Sequence, residues 1–287
     1  MLLADYFTHL KKQLSQLYDQ GEAQALAKYL LMERLQYDPA EFASRKKEEL
    51  SEDMQTLIAK DAKLLLQGKP VQQVLGYAWF CDMKFAVNEH VLIPRPETEE
   101  LVEHVLSEEM SERPVVLDLC TGSGCIALAV KCHRPDSSVY AADVSVDALD
   151  VARMNARSLQ SEVIFFSWDL LKNKTPGIEL PLVDVLVSNP PYALSVEKSD
   201  MGVHVLEYEP HLAIFVPADN DPLVFYRRLG EIALSVLKPG GILWVETNRK
   251  YTAEIVSLFT SLGLEDATEY RDLSGHPRFV RAQLSLL

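Results

Sequence analysis

The stretch Val115-Val116-Leu117-Asp118-Leu119-Cys120-Thr121-Gly122-Ser123-Gly124 decides the fold. A short apolar, β-branched run passes directly into a glycine-containing turn, and Ile126 to Val130 then opens a helical pattern. Strand, tight turn and helix in that order make the first half of a parallel βα unit. The glycines let the backbone approach a ligand at the carboxyl end of the strand, where doubly wound sheets bind their ligands. The spacing is short of the full G-x-G-x-x-G dinucleotide pattern, and no Lys-Ser/Thr pair follows the glycines, which excludes a triphosphate P-loop.

Toward the C-terminus, apolar runs alternate with helical stretches: Val139 to Ala142, Val163 to Phe166, Val183 to Val187 and Ile242 to Val245. Lys238-Pro239-Gly240-Gly241 is read as the turn before the last of these, and Leu264 to Tyr270 and Phe279 to Leu284 as two further strands. The pattern predicts an α/β fold, a doubly wound, mostly parallel, seven-stranded Rossmann-like sheet with helices on both faces.

Toward the N-terminus the texture is purely helical. Tyr6, Leu10, Leu14 and Leu17 recur every three or four positions, as do Leu26, Tyr29, Leu30 and Met32 to Leu35. Asp38-Pro39 reads as a cap with proline at the first helical position, and Ser51 to Leu66 as a helix ended by Gly68 and Pro70. The mixed charges Arg45-Lys46-Lys47-Glu48-Glu49 read as a solvated face. Gly76 to Ile93, with Trp79-Phe80 and Phe85-Ala86-Val87, suggests a hairpin. The expected organisation is an all-helical domain over 1–75, a hairpin linker over 76–95 and a catalytic domain over 96–287.

Of the 287 residues, 48% are hydrophobic and 24% charged, as in ordinary globular proteins. The net charge of −14 opposes broad contact with a phosphate backbone, so a protein or small-molecule acceptor is favoured over nucleic acid. The N-terminus lacks an apolar signal core, and no run approaches the roughly 18 apolar residues of a membrane span, so a cytoplasmic protein is expected. Cys81, Cys120, Cys125 and Cys132 form no C-x-x-C pair and read as reduced apolar side chains rather than a zinc site.

Two loci carry chemistry. Tyr140-Ala141-Ala142-Asp143 ends in an acid about 25 residues after Asp118, placed to accept two ribose hydroxyls; a cap for the helix near Ser145 is its alternative. Asp169 follows the third strand and can meet an adenine amino group, with Trp168 or Leu170 against the ring, or else it is an ordinary turn aspartate. The fourth strand ends in Asn189-Pro190-Pro191-Tyr192. Prolines donate no backbone hydrogen bond, so the Asn189 side-chain oxygen and the Pro190 carbonyl can each accept one hydrogen of a planar NH2 group, with Tyr192 packing on its flat face.

Taken together, these residues resemble the class I S-adenosylmethionine-dependent methyltransferases, and within them the glutamine methyltransferases of peptide chain release factors. The resemblance runs over nearly the whole length: the helical N-terminus, Val91-Leu92-Ile93-Pro94-Arg95-Pro96-Glu97-Thr98-Glu99, Asp118 to Gly124, Asp143, Asn189 to Tyr192, and Glu209-Pro210-His211-Leu212-Ala213. It implies S-adenosylmethionine as methyl donor, held by Asp118, Cys120, Thr121, Gly122, Ser123, Gly124, Asp143, Asp169, Leu170 and Asn189. It implies catalysis by Asn189 and Pro190, and a substrate site of Asn189, Pro190, Pro191 and Tyr192. The acceptor would be the glutamine of a Gly-Gly-Gln loop, the release factor the partner, and the helical bundle its grip, with no direct nucleic-acid or membrane contact.

Cys120 departs from the family's usual glycine, and Val216 to Leu223 lacks the usual glycine-rich stretch, which leaves the substrate-facing loop open. Glu97 and Glu99 read either as a salt bridge or cap for the helix near Thr98 or as part of the substrate entrance, and His211 is the one histidine near a motif. Val245-Glu246-Thr247-Asn248 and Asp272-Leu273-Ser274-Gly275 match the family loosely and carry no assigned role. Rival readings are a glutamine on a large-subunit ribosomal protein, an adenine amino group of nucleic acid flipped into the same pocket, and a silent binding module.

Overall fold

A computed structural model describes residues 1–172 and 175–286; Leu287, the expected end of the catalytic domain, lies outside them. The chain divides into two compact units, Met1–Tyr77 with Gly202–Tyr208, and Ala78–Met201 with Glu209–Leu287.

The first unit contains α1 (Leu3–Leu14), α2 (Gln20–Leu35), α3 (Pro39–Ser44), α4 (Glu52–Leu65) and α5 (Val71–Leu75). Asp38 caps α3 by accepting from the Ala40 and Glu41 amides, while the Glu41 side chain accepts from the Asp38 amide, closing a reciprocal capping box. Ser51 caps α4 through the Met54 amide. Leu10, Leu14, Leu30 and Leu31 meet in the core. Leu17 does not join them: α1 stops at Leu14, and Leu17 is exposed in the turn that follows. Gly68 and Pro70 end α4 as expected, but the chain coils again into α5.

Residues 202–208, distant in sequence, belong to this unit for visible reasons. The Gln73 Nε2 donates to the Tyr208 carbonyl at 2.8 Å, and the Tyr208 hydroxyl donates to the Gln67 carbonyl at 2.8 Å.

The second unit begins at Ala78, one residue into a hairpin of β1 (Tyr77–Phe80) and β2 (Met83–Ala86) that is shorter than the expected 76–95. Its turn residues Cys81 and Asp82 are both left-handed, at φ 46° and 59°, as a two-residue hairpin turn of the primed type requires. There follow α6 (Pro96–Ser107), β3 (Val115–Leu119), α7 (Cys125–His133), β4 (Ser138–Asp143), α8 (Val146–Ser158), β5 (Ile164–Ser167) and β6 (Val183–Ser188). A 3-10 turn over Ser195–Asp200 leads to α9 (Val203–Tyr208) of the first unit. The chain closes with α10 (His211–Ile214), α11 (Val224–Val236), β7 (Leu237–Glu246), α12 (Thr252–Leu262), β8 (Glu265–Arg271) and β9 (Pro277–Gln283).

The seven strands run in the order β5-β4-β3-β6-β7-β9-β8, parallel from β5 to β7 and antiparallel at β9 and β8. Central strands are apolar on both faces because helices cover both. Val116, Val185 and Trp244 face one core cluster, and Leu117, Leu186 and Leu243 the other. Removing each such side chain from water contributes about 1.5–3 kcal/mol. One strand differs from its expected span: β7 begins at Leu237, so Lys238 to Gly241 lie within it. The register shifts at Val183 and Val185, and a Cβ at Gly241 would stand 2.8 Å from the Lys238 carbonyl and 3.1 Å from that of Val183, so only glycine fits this irregular entry. Among the described residues, no helix is long and apolar enough to cross a membrane, and no cluster is arranged to hold a metal.

Candidate active site

Strand order reverses beside β3: the chain moves outward to β4 and β5, then returns to place β6 on the other side. The crevice at the carboxyl ends of β3 and β6 is therefore the topological switch point. A cavity of about 380 Å3 opens there, within the range of small-molecule sites.

One side of the cavity is built from the ends of β3, β4 and β5. The φ of Gly122 is +54°, and a Cβ at this position would meet nothing within 4 Å, so the turn presents bare backbone to the cavity. Cys120 also lines it, held at φ 62° although it is not glycine; burial pushes its thiol pKa up. Asp143 accepts from the Gly122 amide at 2.8 Å and the Ser145 amide at 2.9 Å, and burial raises its pKa against those bonds. The cap of α8 is Ser145 itself, through the Ala148 amide, which leaves Asp143 facing the cavity. Trp168, Asp169 and Leu170 form the next wall. Asp169 accepts from the Leu171 and Lys172 amides and pairs with Lys172 at 3.0 Å; partial burial pushes its pKa upward, but these Lys172 and backbone interactions outweigh that and hold it low. Asp169 therefore closes a turn and also lines the cavity.

Asp118, Thr121, Ser123 and Gly124 do not reach the cavity wall. The Asp118 carboxylate is fully buried, where it accepts from the Thr121 hydroxyl at 2.5 Å and the Ala127 amide at 3.2 Å. Burial pushes its pKa up to about 7 against these bonds, with Asp143 adding to the rise. A Cβ at Gly124 would press on Ala152 and Leu128, so this glycine serves helix packing. These four residues brace the turn from behind.

On the facing side, Asn189 and Pro191 line the cavity, while Pro190 and Tyr192 lie outside its wall. The Asn189 Nδ2 donates to Thr98 Oγ1 at 3.1 Å, and Thr98 Oγ1 donates to Glu246 Oε2 at 2.7 Å. No donor among the described residues reaches Asn189 Oδ1 or the Pro190 carbonyl. Tyr192 departs from the expected stacking role: its hydroxyl donates to Glu246 Oε1 at 3.3 Å, drawing the ring toward the buried carboxylate, and burial raises its pKa. Glu246 is fully buried at the end of β7. Burial pushes its pKa up to about 7 although Thr98, Arg278 and Tyr192 favour the ionised form. Thr98 and Glu246 carry no site role in the sequence reading because 148 positions separate them; the hints were the segments Val91 to Glu99 and Val245 to Asn248 that contain them, and an acid closing the apolar run Ile242 to Val245.

The remaining wall is held by one ion pair. Glu209 Oε1 accepts from Arg95 Nη2 at 2.6 Å and its Oε2 from the Ile93 amide at 2.9 Å. It thereby ties the lining residues Val91 and Leu92 to Pro210, Leu212 and Ala213. The segment from Val216 has a defined course without glycines: the Val216 amide donates to the Ala193 carbonyl, Asp219 accepts from the Ser195 amide, and Pro217 lines the cavity with Phe225. Glu99 accepts from the Cys81 amide at 3.1 Å, and Glu97 sits in the first turn of α6; neither lines the cavity. His211 packs edge-on against Phe215, also away from it.

Comparison with known proteins gives this architecture a class. The family described as methyltransferase small domain matches residues 97–207, and the family described as PrmC N-terminal domain matches residues 5–76. A methyltransferase from Pyrococcus furiosus shares the fold at TM-score 0.52 and 16% identity, over 82% of this chain and all of that one. Residues 97–207 thus match a methyltransferase domain. The chain is 37% identical to a release factor glutamine methyltransferase of Bacteroides thetaiotaomicron, over 96% of this chain and 97% of the relative. It is 38% identical to one of Streptococcus pneumoniae, over 90% of each. The chain belongs to the release factor glutamine methyltransferase family.

Proposed function

We propose that this protein transfers a methyl group from S-adenosylmethionine to the side-chain amide nitrogen of the glutamine in the Gly-Gly-Gln loop of a peptide chain release factor. The observation that carries this reading is Asn189. Its amide nitrogen is engaged by Thr98 while its oxygen has no donor among the described residues, on the wall of the cavity at the switch point.

The residues present fit the methyl donor. Gly122 offers open backbone, Asp143 offers carboxylate oxygens for ribose hydroxyls, and Trp168, Asp169 and Leu170 offer a flat apolar wall edged by an acceptor for an adenine. When bound, S-adenosylmethionine supplies an electrophilic methyl group. The chain's own residues do the rest. A glutamine amide nitrogen is a poor nucleophile because its lone pair is delocalised, so Asn189 Oδ1 and the Pro190 carbonyl would each accept one amide hydrogen, fix the nitrogen in place and stabilise the positive charge that develops on it. Holding the reactants aligned at about 3–3.5 Å contributes several kcal/mol. No strong base is needed, since an alkylated amide nitrogen loses its proton readily.

The helical unit, which contains none of the cavity residues, is proposed to grip the body of the release factor. The net charge of −14 supports a protein acceptor over a nucleic acid, and the cytoplasm, where translation terminates, is the proposed location.

The test is single-turnover transfer of labelled methyl groups to intact release factor, followed by peptide mapping. Asn189→Ala should slow transfer on the order of 10²-fold, by analogy with loss of one oxyanion-hole group, with little change in cofactor affinity. A wild-type rate sinks the acceptor assignment. Label on a ribosomal-protein glutamine or on an adenine, and none on the release factor, would redirect the substrate.

A further inference from the structure

Thr98, Glu246 and Asn189 come from α6, the end of β7 and the residue after β6, and form one chain of hydrogen bonds that runs from the buried Thr98 and Glu246 to the half-buried Asn189 on the cavity wall. A hydroxyl has one proton to donate. An ionised Glu246 can only accept, so it takes the Thr98 proton, and the Thr98 oxygen is left to accept from Asn189 Nδ2. The amide then presents Oδ1 at its other end.

We propose that Thr98 and Glu246 are positioning residues that set which end of the Asn189 amide faces the acceptor, and that protonation of Glu246 reverses the relay and switches transfer off. This inference rests on the reading of Asn189 Oδ1 as the acceptor of an amide hydrogen. A proton on Oε1 would leave the Tyr192 hydroxyl a much poorer acceptor than the carboxylate oxygen it uses. A proton on Oε2 leaves every hydroxyl satisfied: Glu246 donates to Thr98, Thr98 turns its own proton toward Asn189, and the amide flips to offer Oδ1 to Thr98. Asn189 Nδ2 then confronts the substrate NH2, donor against donor, and the substrate hydrogen loses its partner.

The groups around Glu246 come from four directions. Arg278 of β9 favours the ionised form and is itself paired with Asp272 at 3.5 Å. Glu97 of α6 opposes ionisation. Tyr192, after β6, donates to Oε1, and the Tyr226 hydroxyl of α11 donates to the Glu246 backbone carbonyl at 3.2 Å. Burial opposes the charge most strongly, and the carboxyl titrates at about 7. The ionised, active form therefore gains as pH rises, and the rate between pH 6 and pH 8 should climb about tenfold.

The experiment measures single-turnover methylation of intact release factor against pH, with S-adenosylmethionine affinity followed by calorimetry. Glu246→Gln keeps an oxygen for Thr98 but has nothing to titrate, so the acid limb should vanish. Thr98→Val, of nearly equal volume, should lower the rate at pH 8 about tenfold or more and flatten the profile, with affinity within about twofold of wild type; Thr98→Ser should restore both rate and limb. A wild-type rate in Thr98→Val, no rescue by serine, or an acid limb surviving in Glu246→Gln overturns the relay. Asn189→Ala run alongside separates the two readings. If it is slow while the relay variants behave as wild type, the relay alone falls; if it transfers at the wild-type rate, the acceptor assignment falls as well.

Discussion

Arg95→Met tests what holds the cavity together. The Glu209 side chain is completely buried, with Arg95 and the Ile93 amide as its partners, while the Arg95 side chain retains 32% exposure. Methionine keeps the stem's packing and removes the charge, leaving a buried carboxylate with one amide donor. Breaking a buried pair costs about 3–5 kcal/mol; one member here is a third exposed and one hydrogen bond survives, so about 2–3 kcal/mol is expected. For a unit of this size that corresponds to a fall of about 4–12 °C in the Tm of the methyltransferase domain. Calorimetric melting reads the first effect, and titration with S-adenosylmethionine the second, because two walls of the cavity lose their tie. Adding Glu209→Gln to Arg95→Met should recover part of the loss, since the stranded charge is gone. A Tm within a degree of wild type, with unchanged affinity, would refute the argument.

Two further outcomes follow from the cofactor side. Asp143→Ala should weaken S-adenosylmethionine binding by about 1–3 kcal/mol, the scale of hydrogen bonds to a charged group, and an unchanged Kd in the folded variant would remove Asp143 from the site. Cys120→Gly should relieve the left-handed backbone at φ 62°; with about 1–2 kcal/mol of strain released and part of it offset by the freer unfolded chain, a net gain of about 0.5–1 kcal/mol is expected in denaturant titration, and a loss above 1 kcal/mol would show that the sulfur packs better than it strains.

Much of the sheet is legible because buried parallel strands are written as short, mostly apolar runs: Val183 to Val187 is expected as a strand, and β6 spans Val183–Ser188. β7 was cut short because Pro239-Gly240-Gly241 carries turn chemistry, while its actual use is an irregular strand entry that needs missing side chains. At the site, residues next to a strand end were found: Gly122, Asp143 and Asn189 all line the cavity. Asp118 belongs to the same motif yet points into the core, a distinction that strand pleat makes and spacing alone does not. Thr98 and Glu246 stayed hidden because each satisfies the rules of its own element, a helix's first turn and a strand's last residue, and their meaning lies in the bond between them.

The return of residues 202–208 to the first unit has a consequence for biosynthesis. A ribosome releases Met1–Tyr77 early, with α1 to α5 complete in sequence, yet the Tyr208 carbonyl that receives the Gln73 side-chain amide has not been made. The helical unit therefore leaves the tunnel before the segment that carries Tyr208 exists, and its final closure waits for a segment encoded after six of the strands. Vectorial synthesis places the last piece of the first-made unit in the middle of the second.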